Sequence, residues 1–385
     1  MKDVYIVGMG TTQYGKSDYC AKDLAIKSVS QALNSCGVDK EQVDELYLGN
    51  FISGIIDGQE TLGSHVTDGV GLTGIPAMKV EGACASSGIA FKQACRAIST
   101  GIADIVIAVG TESMTKAPTS KFTRALGSAA DQNTDGTAGL TFPGFYGLWL
   151  DRYMNEFNIK RKYIASVPVK NRKNGVKNPR ARFRSEITTK EVINSRSIAN
   201  PLNLYDCCAA ADGSTAVILA SSEISHSITN NPIKVLGVGH ATGISASHRY
   251  NNLLTLDATV DAAKEAYKQA KVGPNDIDVV ELHDCFSAAE IGDSEDLGFF
   301  KKGEGAIAAV KGKTAIDGEI PINPSGGLLS KGHPVGATGL GQIYEICKQL
   351  KNDHENQVNN AEVGLAHNLG GSGAVSTVTI LGNNI

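Results

Sequence analysis

The chain has 385 residues, of which 42% are hydrophobic and 20% are charged, so it is long enough for two or three structural units around a large core. A net charge of −4 excludes nucleic-acid binding through overall charge, and no apolar run approaches the ~18 residues of a membrane-spanning helix. The N-terminus has no signal-peptide pattern, and the eight cysteines form no paired CxxC motifs. We therefore expect free thiols in a reducing cytoplasm, and no metal site.

The chain opens with a predicted strand, "VYIVGMG", and continues into a stretch that matches a nucleotide-binding pattern. Residues 10–17, "GTTQYGKS", fit the P-loop consensus G-x-x-x-x-G-K-[ST]. A true P-loop opens directly into a helix, whereas "SDYCAKD" comes before any helical periodicity in this chain. With 43 glycines present, we interpret the match as a coincidence.

An α/β unit follows and is repeated later in the chain. Helical periodicity from Asp23 ends at Gly37, and a predicted strand follows. The same order returns from Asp261, where a helix is predicted to end at Gly273 before another strand. In both copies a Glu-Leu pair begins eight residues after the glycine, and a second helix and further strands follow. The order of elements therefore predicts a duplicated α/β unit.

The duplication also predicts the domain organisation. Residues 1–116 plus 207–222 form the N-terminal half, and residues 223–385 form the C-terminal half. Residues 117–206 have no counterpart and are predicted to be an inserted loop domain. Within this insert, residues 160–196 contain 12 Lys or Arg against 2 Asp or Glu. This basic segment indicates a solvated loop or a local anionic partner, which would be a ligand phosphate, a nucleic acid or an acidic protein.

Two turns rich in small residues carry a candidate thiol and a candidate base. Cys84, in "VEGACASSG", is predicted at a helix N-terminus, where free N–H groups and the helix dipole favour a thiolate. His333, in "KGHPVG", is predicted in the equivalent place of the second half, with a backbone constrained by glycine and proline. Facing each other, they would form a thiol–imidazole pair. A small buried cysteine before a helix is the structural alternative.

Two further polar stretches follow predicted strands. "HDCF" places His283 and Cys285 where open α/β sheets carry their chemistry, so Cys285 is a possible nucleophile with His283 as its base. In "NLGGSG", Gly370 and Gly371 offer backbone N–H groups to a developing oxyanion. An ordinary glycine turn without a ligand is an equally good interpretation of that stretch.

Four motifs, "EGACASSG", "HDCFS", "GHPVGATG" and "NLGGSG", together resemble those of the thiolases, in the family's order and across essentially the whole chain. The branch that looks closest is that of the sterol-carrier-protein-type thiolases and their archaeal relatives. The resemblance implies a thiolase-like α/β fold. Two duplicated βαβαβ-ββ halves would form a layered α/β/α/β/α arrangement with an inserted loop domain.

The resemblance also implies roles for individual residues. Cys84 would be the nucleophile that carries an acetyl group, and His333 would activate it. The N–H groups of Cys84 and Gly370 would form an oxyanion hole for the acetyl-enzyme. His283 and His333 would form a second one, for the thioester oxygen of the second acetyl-CoA.

One position departs from many thiolases, which have a second catalytic cysteine where this chain has Asn368. In the branch that this chain resembles, the missing thiol comes from the "HDCF" stretch. Cys285 would then be the acid/base that removes the α-proton of the second acetyl-CoA. His283 would stabilise the enolate oxygen rather than activate a nucleophile.

The implied reaction is the reversible condensation of two acetyl-CoA to acetoacetyl-CoA and CoA, with no cofactor beyond CoA itself. We expect a role in the mevalonate route to isoprenoids, a homodimer or tetramer, and a complex with hydroxymethylglutaryl-CoA synthase. A small scaffold protein with zinc-binding and oligonucleotide-binding-type folds would complete it, with no nucleic-acid or membrane partner. The basic segment 160–196 would bind CoA phosphates, or Arg180, Arg182 and Arg184 would dock an acidic protein.

Three alternatives stay open at this point. A degradative 3-ketoacyl-CoA thiolase would have a longer acyl pocket. A decarboxylating ketosynthase would use one cysteine with two histidines. A non-catalytic paralogue would bind CoA or lipid without turning it over.

Overall fold

The computed structural model describes residues 2–383, within which there are 11 strands and 15 helices. The strands are β1 Val4–Thr11, β2 Glu45–Gly49, β3 Ala77–Val80, β4 Ile105–Glu112, β5 Ser197–Ala199, β6 Leu202–Asn203, β7 Gly213–Ser221, β8 Ile233–Thr242, β9 Val279–Glu281, β10 Val363–Gly370 and β11 Val375–Gly382. The helices are α1 Ala21–Cys36, α2 Ser53–Ile56, α3 Leu62–Val70, α4 Ser86–Ser99, α5 Thr119–Gly127, α6 Phe142–Glu156, α7 Arg161–Ile164, α8 Ser166–Gly175, α9 Thr189–Asn194, α10 Ser225–Ile228, α11 Asp257–Ala270, α12 Ser287–Asp296, α13 Gly305–Val310, α14 Gly327–Lys331 and α15 Thr338–Leu350.

Nine strands form one sheet in the order β3-β2-β4-β7-β1-β8-β11-β10-β9. The first five strands belong to one copy of the repeat and the last four to the other, and the antiparallel β1–β8 pair joins the copies. Outside β9, Ile322 forms a parallel bridge to Val280, which is the place that β3 has beside β2 in the first copy. The strand order is thus mirrored about the centre, and the predicted duplication is confirmed.

The helices lie in three layers around the two halves of this sheet. Between the halves, α4 and α15 pack together through apolar side chains that include Phe91, Ile98 and Ile343. Helices α1 and α3 cover the outer face of the first half, and α11 covers that of the second. Each sheet face is thereby buried against helices, because neither face is polar enough to stay in water. This is the predicted α/β/α/β/α arrangement.

The two equivalent outer helices end differently. Helix α1 ends as predicted at Gly37, which has a left-handed φ of 67°. Helix α11 ends at Ala270, and the left-handed residue is Lys271, with a φ of 58°. The prediction that Gly273 ends this helix is wrong. Glycine is favoured at such a position but is not required, so a lysine caps the helix two residues earlier.

The segment predicted as a loop domain contains α5 to α9 and the short β5–β6 pair. Its longest helix, α6, contributes Tyr146, Trp149 and Leu150 to an apolar cluster with Phe286 and Leu329 of the C-terminal half. This packing holds the inserted segment against the "HDCF" stretch. The residue boundaries given for the three domains stay a prediction.

Candidate active site

The residues singled out for chemistry converge on one cavity. Cys84, His283, Cys285 and His333 all line a space of about 390 Å³, although they are up to 249 residues apart in sequence. Most of the remaining wall is apolar and includes Phe122, Leu126, Leu140, Phe142, Ile198 and Phe286. The cavity therefore has a small polar centre inside a largely apolar wall, which is the form of a small-molecule site.

Local backbone geometry explains how the thiol and the imidazole reach this cavity. Cys84 lies in the 3₁₀ turn Ala83–Ala85 that leads into α4. His333 lies two residues before the corresponding turn, Val335–Ala337, which leads into α15. The equivalent of Cys84 is thus Gly336, and the prediction that Cys84 and His333 occupy equivalent places is wrong by three residues. They meet because the two turns face each other beneath the neighbouring helices α4 and α15.

The hydrogen bonds of His333 determine which of its nitrogens acts as a base. Its Nε2 lies 3.3 Å from the Cys84 sulfur, and its Nδ1 lies 2.8 Å from the Thr338 hydroxyl. That hydroxyl donates its one proton to the Pro334 carbonyl, at 3.0 Å, so it must accept from Nδ1–H. Nε2 is then left with a lone pair directed at the thiol. The arrangement is that of a base held ready to accept the Cys84 proton.

The pKa values of this pair differ from those expected of a helix N-terminus. Desolvation, followed by the nearby Glu112 carboxylate, raises the pKa of the Cys84 thiol to about 12. Desolvation lowers the pKa of His333 to about 3. The backbone N–H groups of Cys84 and Gly371 favour the thiolate but do not outweigh desolvation. The expectation of a ready-made thiolate is wrong, and the resting pair is a neutral thiol with a neutral imidazole.

This pair predicts a distinctive pH dependence for alkylation of Cys84 by iodoacetamide. Because its pKa is raised to about 12, the thiolate fraction grows about tenfold per pH unit from pH 7 to 10 without a plateau. Mass-spectrometric rates of carbamidomethylation at Cys84 would show this slope. In urea-denatured protein the same cysteine should level off above its ordinary pKa of ~8.5. A plateau below pH 9 in the native protein would contradict the neutral pair.

His283 is held by Asn368, the residue that stands where many thiolases have a cysteine. The Asn368 Nδ2 group lies 3.2 Å from the Nδ1 of His283, and both side chains are buried. An amide N–H donates to Nδ1, so the proton of the neutral imidazole is on Nε2. Burial lowers the pKa of His283 well below its usual value, and the nearby His333, whose ring centre is 5.0 Å away, lowers it further. His283 is thus a neutral hydrogen-bond donor.

Cys285 lines the same cavity as Cys84. Its carbonyl accepts a hydrogen bond from the N–H of Cys208, at 2.9 Å. Burial raises the pKa of the Cys285 thiol well above its usual value, and the neighbouring Cys208 and Cys84 raise it further. Cys208 and Tyr146 also line the cavity, and sequence reasoning missed both. Neither stretch, "CCAA" or "FPGFYG", has a spacing that identifies a site.

The structure favours Gly371 over Gly370 as the second backbone donor near the sulfur. Gly371 lines the cavity and directs its N–H at Cys84, with a left-handed φ of 65°. Gly370 is the last residue of β10 and packs against the Gly82 carbonyl, where a Cβ would have no space. Gly371 is thus a further candidate donor, and the oxyanion role of Gly370 stays a prediction.

Much of the basic segment 160–196 is occupied by contacts within the protein. Arg180 is shared between Glu345, at 2.8 Å, and Glu355, at 3.0 Å, so its guanidinium is not available to a phosphate or an acidic partner. Arg182 donates to the Ala210 carbonyl. Arg184 is exposed and donates only to the Val176 carbonyl, at 3.3 Å. The exposed basic residues left for an anionic ligand are Lys160, Lys162, Lys173, Lys177, Arg184, Lys190 and Arg196.

The P-loop-like stretch does not form a phosphate-binding loop. Gly15 exchanges backbone hydrogen bonds with Asp212, and the Ser17 N–H donates to the Asp212 carboxylate at 3.0 Å. The Asp212 carbonyl and carboxylate therefore already accept the N–H groups of Gly15 and Ser17 that a phosphate would need. The interpretation of this match as a coincidence agrees with the geometry.

One group of side chains in the described part of the chain has the geometry of a possible metal site. Among residues 2–383, Cys84, His283 and His333 are the one group whose ligand atoms are suitably close, all within 4.8 Å of one another. Two of these atoms already face each other as thiol and base.

No helix in the described part of the chain is long and apolar enough to cross a lipid bilayer.

Comparison with known proteins identifies the family. Residues 4–223 match the profile described as "Thiolase, N-terminal domain", and residues 239–383 match "Thiolase C-terminal domain-like". The chain belongs to the thiolase family. Thiolases are acyltransferases, and the recognition made from the four motifs is confirmed.

Individual relatives agree with this assignment. The chain is 42% identical over 382 residues to an acetyl-CoA acetyltransferase of Methanothermobacter thermautotrophicus, with 99% of each chain covered. It is 33% identical over 399 residues to human sterol carrier protein 2, covering 97% of this chain and 71% of that protein. Its structure is similar to the "Ltp2-ChsH2(DUF35) aldolase", with a TM-score of 0.86, 25% identity, and coverage of 100% of this chain and 98% of that one.

Proposed function

We propose that this thiolase is an acetyl-CoA C-acetyltransferase, which condenses two acetyl-CoA to acetoacetyl-CoA and CoA through an acetyl-Cys84 intermediate. The observation that carries the proposal is the convergence of Cys84, Cys285 and two imidazoles in one cavity, with His333 3.3 Å from Cys84. The name of the 42% identical relative supports the choice of acetyl-CoA as substrate.

The first half-reaction forms the acetyl-enzyme. As Cys84 attacks the thioester carbonyl, its proton passes to Nε2 of His333, so no free thiolate has to exist beforehand. The oxyanion accepts hydrogen bonds from the N–H groups of Cys84 and Gly371. The C–S bond to CoA then breaks, and the leaving CoA thiolate needs a proton. Cys285, the other proposed catalytic thiol, supplies it and becomes a thiolate only at that moment.

The second half-reaction uses that thiolate on a second acetyl-CoA. Cys285 takes the α-proton, so a C–H bond breaks and an S–H bond forms. The enolate oxygen accepts hydrogen bonds from His283 Nε2–H and from the now protonated His333. The enolate carbon attacks the acetyl group, and the Cys84 thiolate leaves and recovers its proton from His333. Every proton returns to its starting group, and the products are acetoacetyl-CoA and CoA.

We further propose the biological setting given by the resemblance: a cytoplasmic homodimer or tetramer that serves the mevalonate route, together with hydroxymethylglutaryl-CoA synthase and a small scaffold protein. All eight cysteines are free thiols, which supports a reducing compartment. The similar aldolase structure contains a DUF35 protein, which supports a small protein partner. Condensation is thermodynamically uphill, so direct transfer of product to the next enzyme would favour it.

The second candidate is a degradative 3-ketoacyl-CoA thiolase, and the apolar cavity wall of Phe122, Leu126 and Phe142 favours it. Thiolysis rates with CoA, measured for 3-ketoacyl-CoA substrates of four to twelve carbons, separate the two. We expect acetoacetyl-CoA to be the best substrate and the rate to fall with chain length. A rate that rises with chain length would replace the proposal with the degradative function.

A further inference from the structure

Helix α6 places one tyrosine beside the proposed proton-carrying cysteine. Tyr146 is 2% exposed and lines the same cavity as Cys285. Its ring lies 4.8 Å from that of Phe286, which follows Cys285 in the chain, at an interplanar angle of 31°. The ring of Phe145 packs against its edge, with centroids 5.3 Å apart. The tyrosine is thus fixed in place by aromatic contacts.

The hydroxyl of Tyr146 has no structural use in this position. It is buried and has no hydrogen-bond partner among residues 2–383. A buried hydroxyl without a partner destabilises the folded protein, so phenylalanine would be the more stable residue. Helix α6 has phenylalanine at the nearby positions 142 and 145. On the same helix the Tyr153 hydroxyl, by contrast, donates a hydrogen bond to the Glu295 carboxylate at 2.6 Å. The unpaired hydroxyl therefore indicates a partner that exists only during the reaction.

The surrounding charges determine which way a hydrogen bond would run. Burial, and then the nearby Cys285 and Asp293, raise the pKa of Tyr146 well above its usual value, so it keeps its proton. Burial, Cys208, Cys84 and Asp293 all raise the pKa of Cys285, and the nearby Tyr146 hydroxyl acts in the opposite direction. Among these neighbours of Cys285, Tyr146 is thus the one side chain that favours the thiolate over the thiol.

We propose that Tyr146 is a further catalytic residue, whose hydroxyl donates a hydrogen bond to the Cys285 thiolate while that thiolate waits to take the α-proton. The tyrosine keeps its own proton throughout. When the α C–H bond breaks, the proton goes to the Cys285 sulfur and the hydrogen bond from Tyr146 weakens. The assignment rests on the proposed function, in which Cys285 is the acid/base.

The test compares Tyr146→Phe with Tyr153→Phe, a buried tyrosine on the same helix that lies outside the cavity lining. Two steps are measured separately: acetylation of Cys84 by mass spectrometry, and exchange of the acetyl-CoA α-protons in D₂O by NMR. For Tyr146→Phe we expect acetylation within a few-fold of wild type, because Cys285 can still give its proton to CoA. We expect exchange to be slowed at least about tenfold and its profile to be displaced to higher pH. Tyr153→Phe should keep the wild-type pH profile.

Each other outcome decides against the proposal. Exchange at the wild-type rate and pH in Tyr146→Phe overturns the role of the hydroxyl but leaves the proposed function standing. Loss of both acetylation and exchange assigns Tyr146 a purely structural role. If the wild-type enzyme neither becomes acetylated nor exchanges α-protons, the proposed function fails, and the role of Tyr146 fails with it.

Discussion

Cys84→Ala is expected to form no acetyl-enzyme and to lose about 10⁴-fold or more in thiolysis of acetoacetyl-CoA, because no other thiol in the cavity has a base. His333 directs its lone pair at Cys84 alone, at 3.3 Å. Cys285 has no imidazole acceptor in hydrogen-bond contact within the described residues. The measurements are the mass of the protein after incubation with acetyl-CoA and the steady-state rate of thiolysis.

Cys285→Ala is the matched comparison, since it removes the other proposed catalytic thiol from the same cavity. We expect this variant to become acetylated on Cys84, slowed by the lost proton donor, but to exchange no α-protons and to have no measurable condensation. Acetylation on Cys285 in the Cys84→Ala variant would reverse the two roles. Full condensation of acetyl-CoA by Cys285→Ala would show that another group removes the α-proton. Condensation only with a malonyl-type thioester, which loses CO₂ instead of a proton, would favour a decarboxylating ketosynthase.

The sequence predicted the fold and the membership of the site well, because both are repeated or clustered patterns. The helix-to-strand spacing is the same in the two copies, and it predicted the duplication that the mirrored sheet order confirms. The motifs around Cys84, His283, Cys285 and His333 predicted the four side chains that share one cavity. Such patterns can be recognised in a sequence because periodicity and motif order depend little on exact backbone angles.

What the sequence did not predict depends on contacts between distant segments. The raised pKa of Cys84 arises from desolvation and from Glu112, and neither is visible in "EGACASSG". Arg180 was predicted to be available to an acidic protein, but Glu345 and Glu355 lie beside it and pair with its guanidinium. Tyr146 has no motif, because its position comes from the packing of α6 against the "HDCF" stretch. Burial and partner charges set these properties, and both require the tertiary structure.

His283→Ala is expected to separate the two half-reactions in a second way. The neutral imidazole donates from Nε2 because Asn368 holds Nδ1, at 3.2 Å. Its loss removes a donor to the enolate oxygen but leaves the Cys84–His333 pair unchanged. We therefore expect α-proton exchange and condensation to fall about 10²- to 10³-fold, while acetylation of Cys84 stays within a few-fold of wild type.

Two companion variants distinguish a donor from a merely structural histidine. Asn368→Leu should lose about tenfold in exchange, because His283 keeps its ring but loses the group that fixes its proton on Nε2. His240→Ala, on β8 and outside the cavity lining, should leave both half-reactions unchanged. If His283→Ala loses acetylation as severely as exchange, His283 also serves the acetyl-enzyme step. The proposed roles, with His333 as the base for Cys84 and His283 as a donor to the enolate, would then be wrong. A large loss of exchange in His283→Ala and a smaller loss in Asn368→Leu would support the proposed arrangement. In it, the Asn368 amide replaces the usual cysteine and keeps the proton of His283 on Nε2, where it can bind the enolate oxygen.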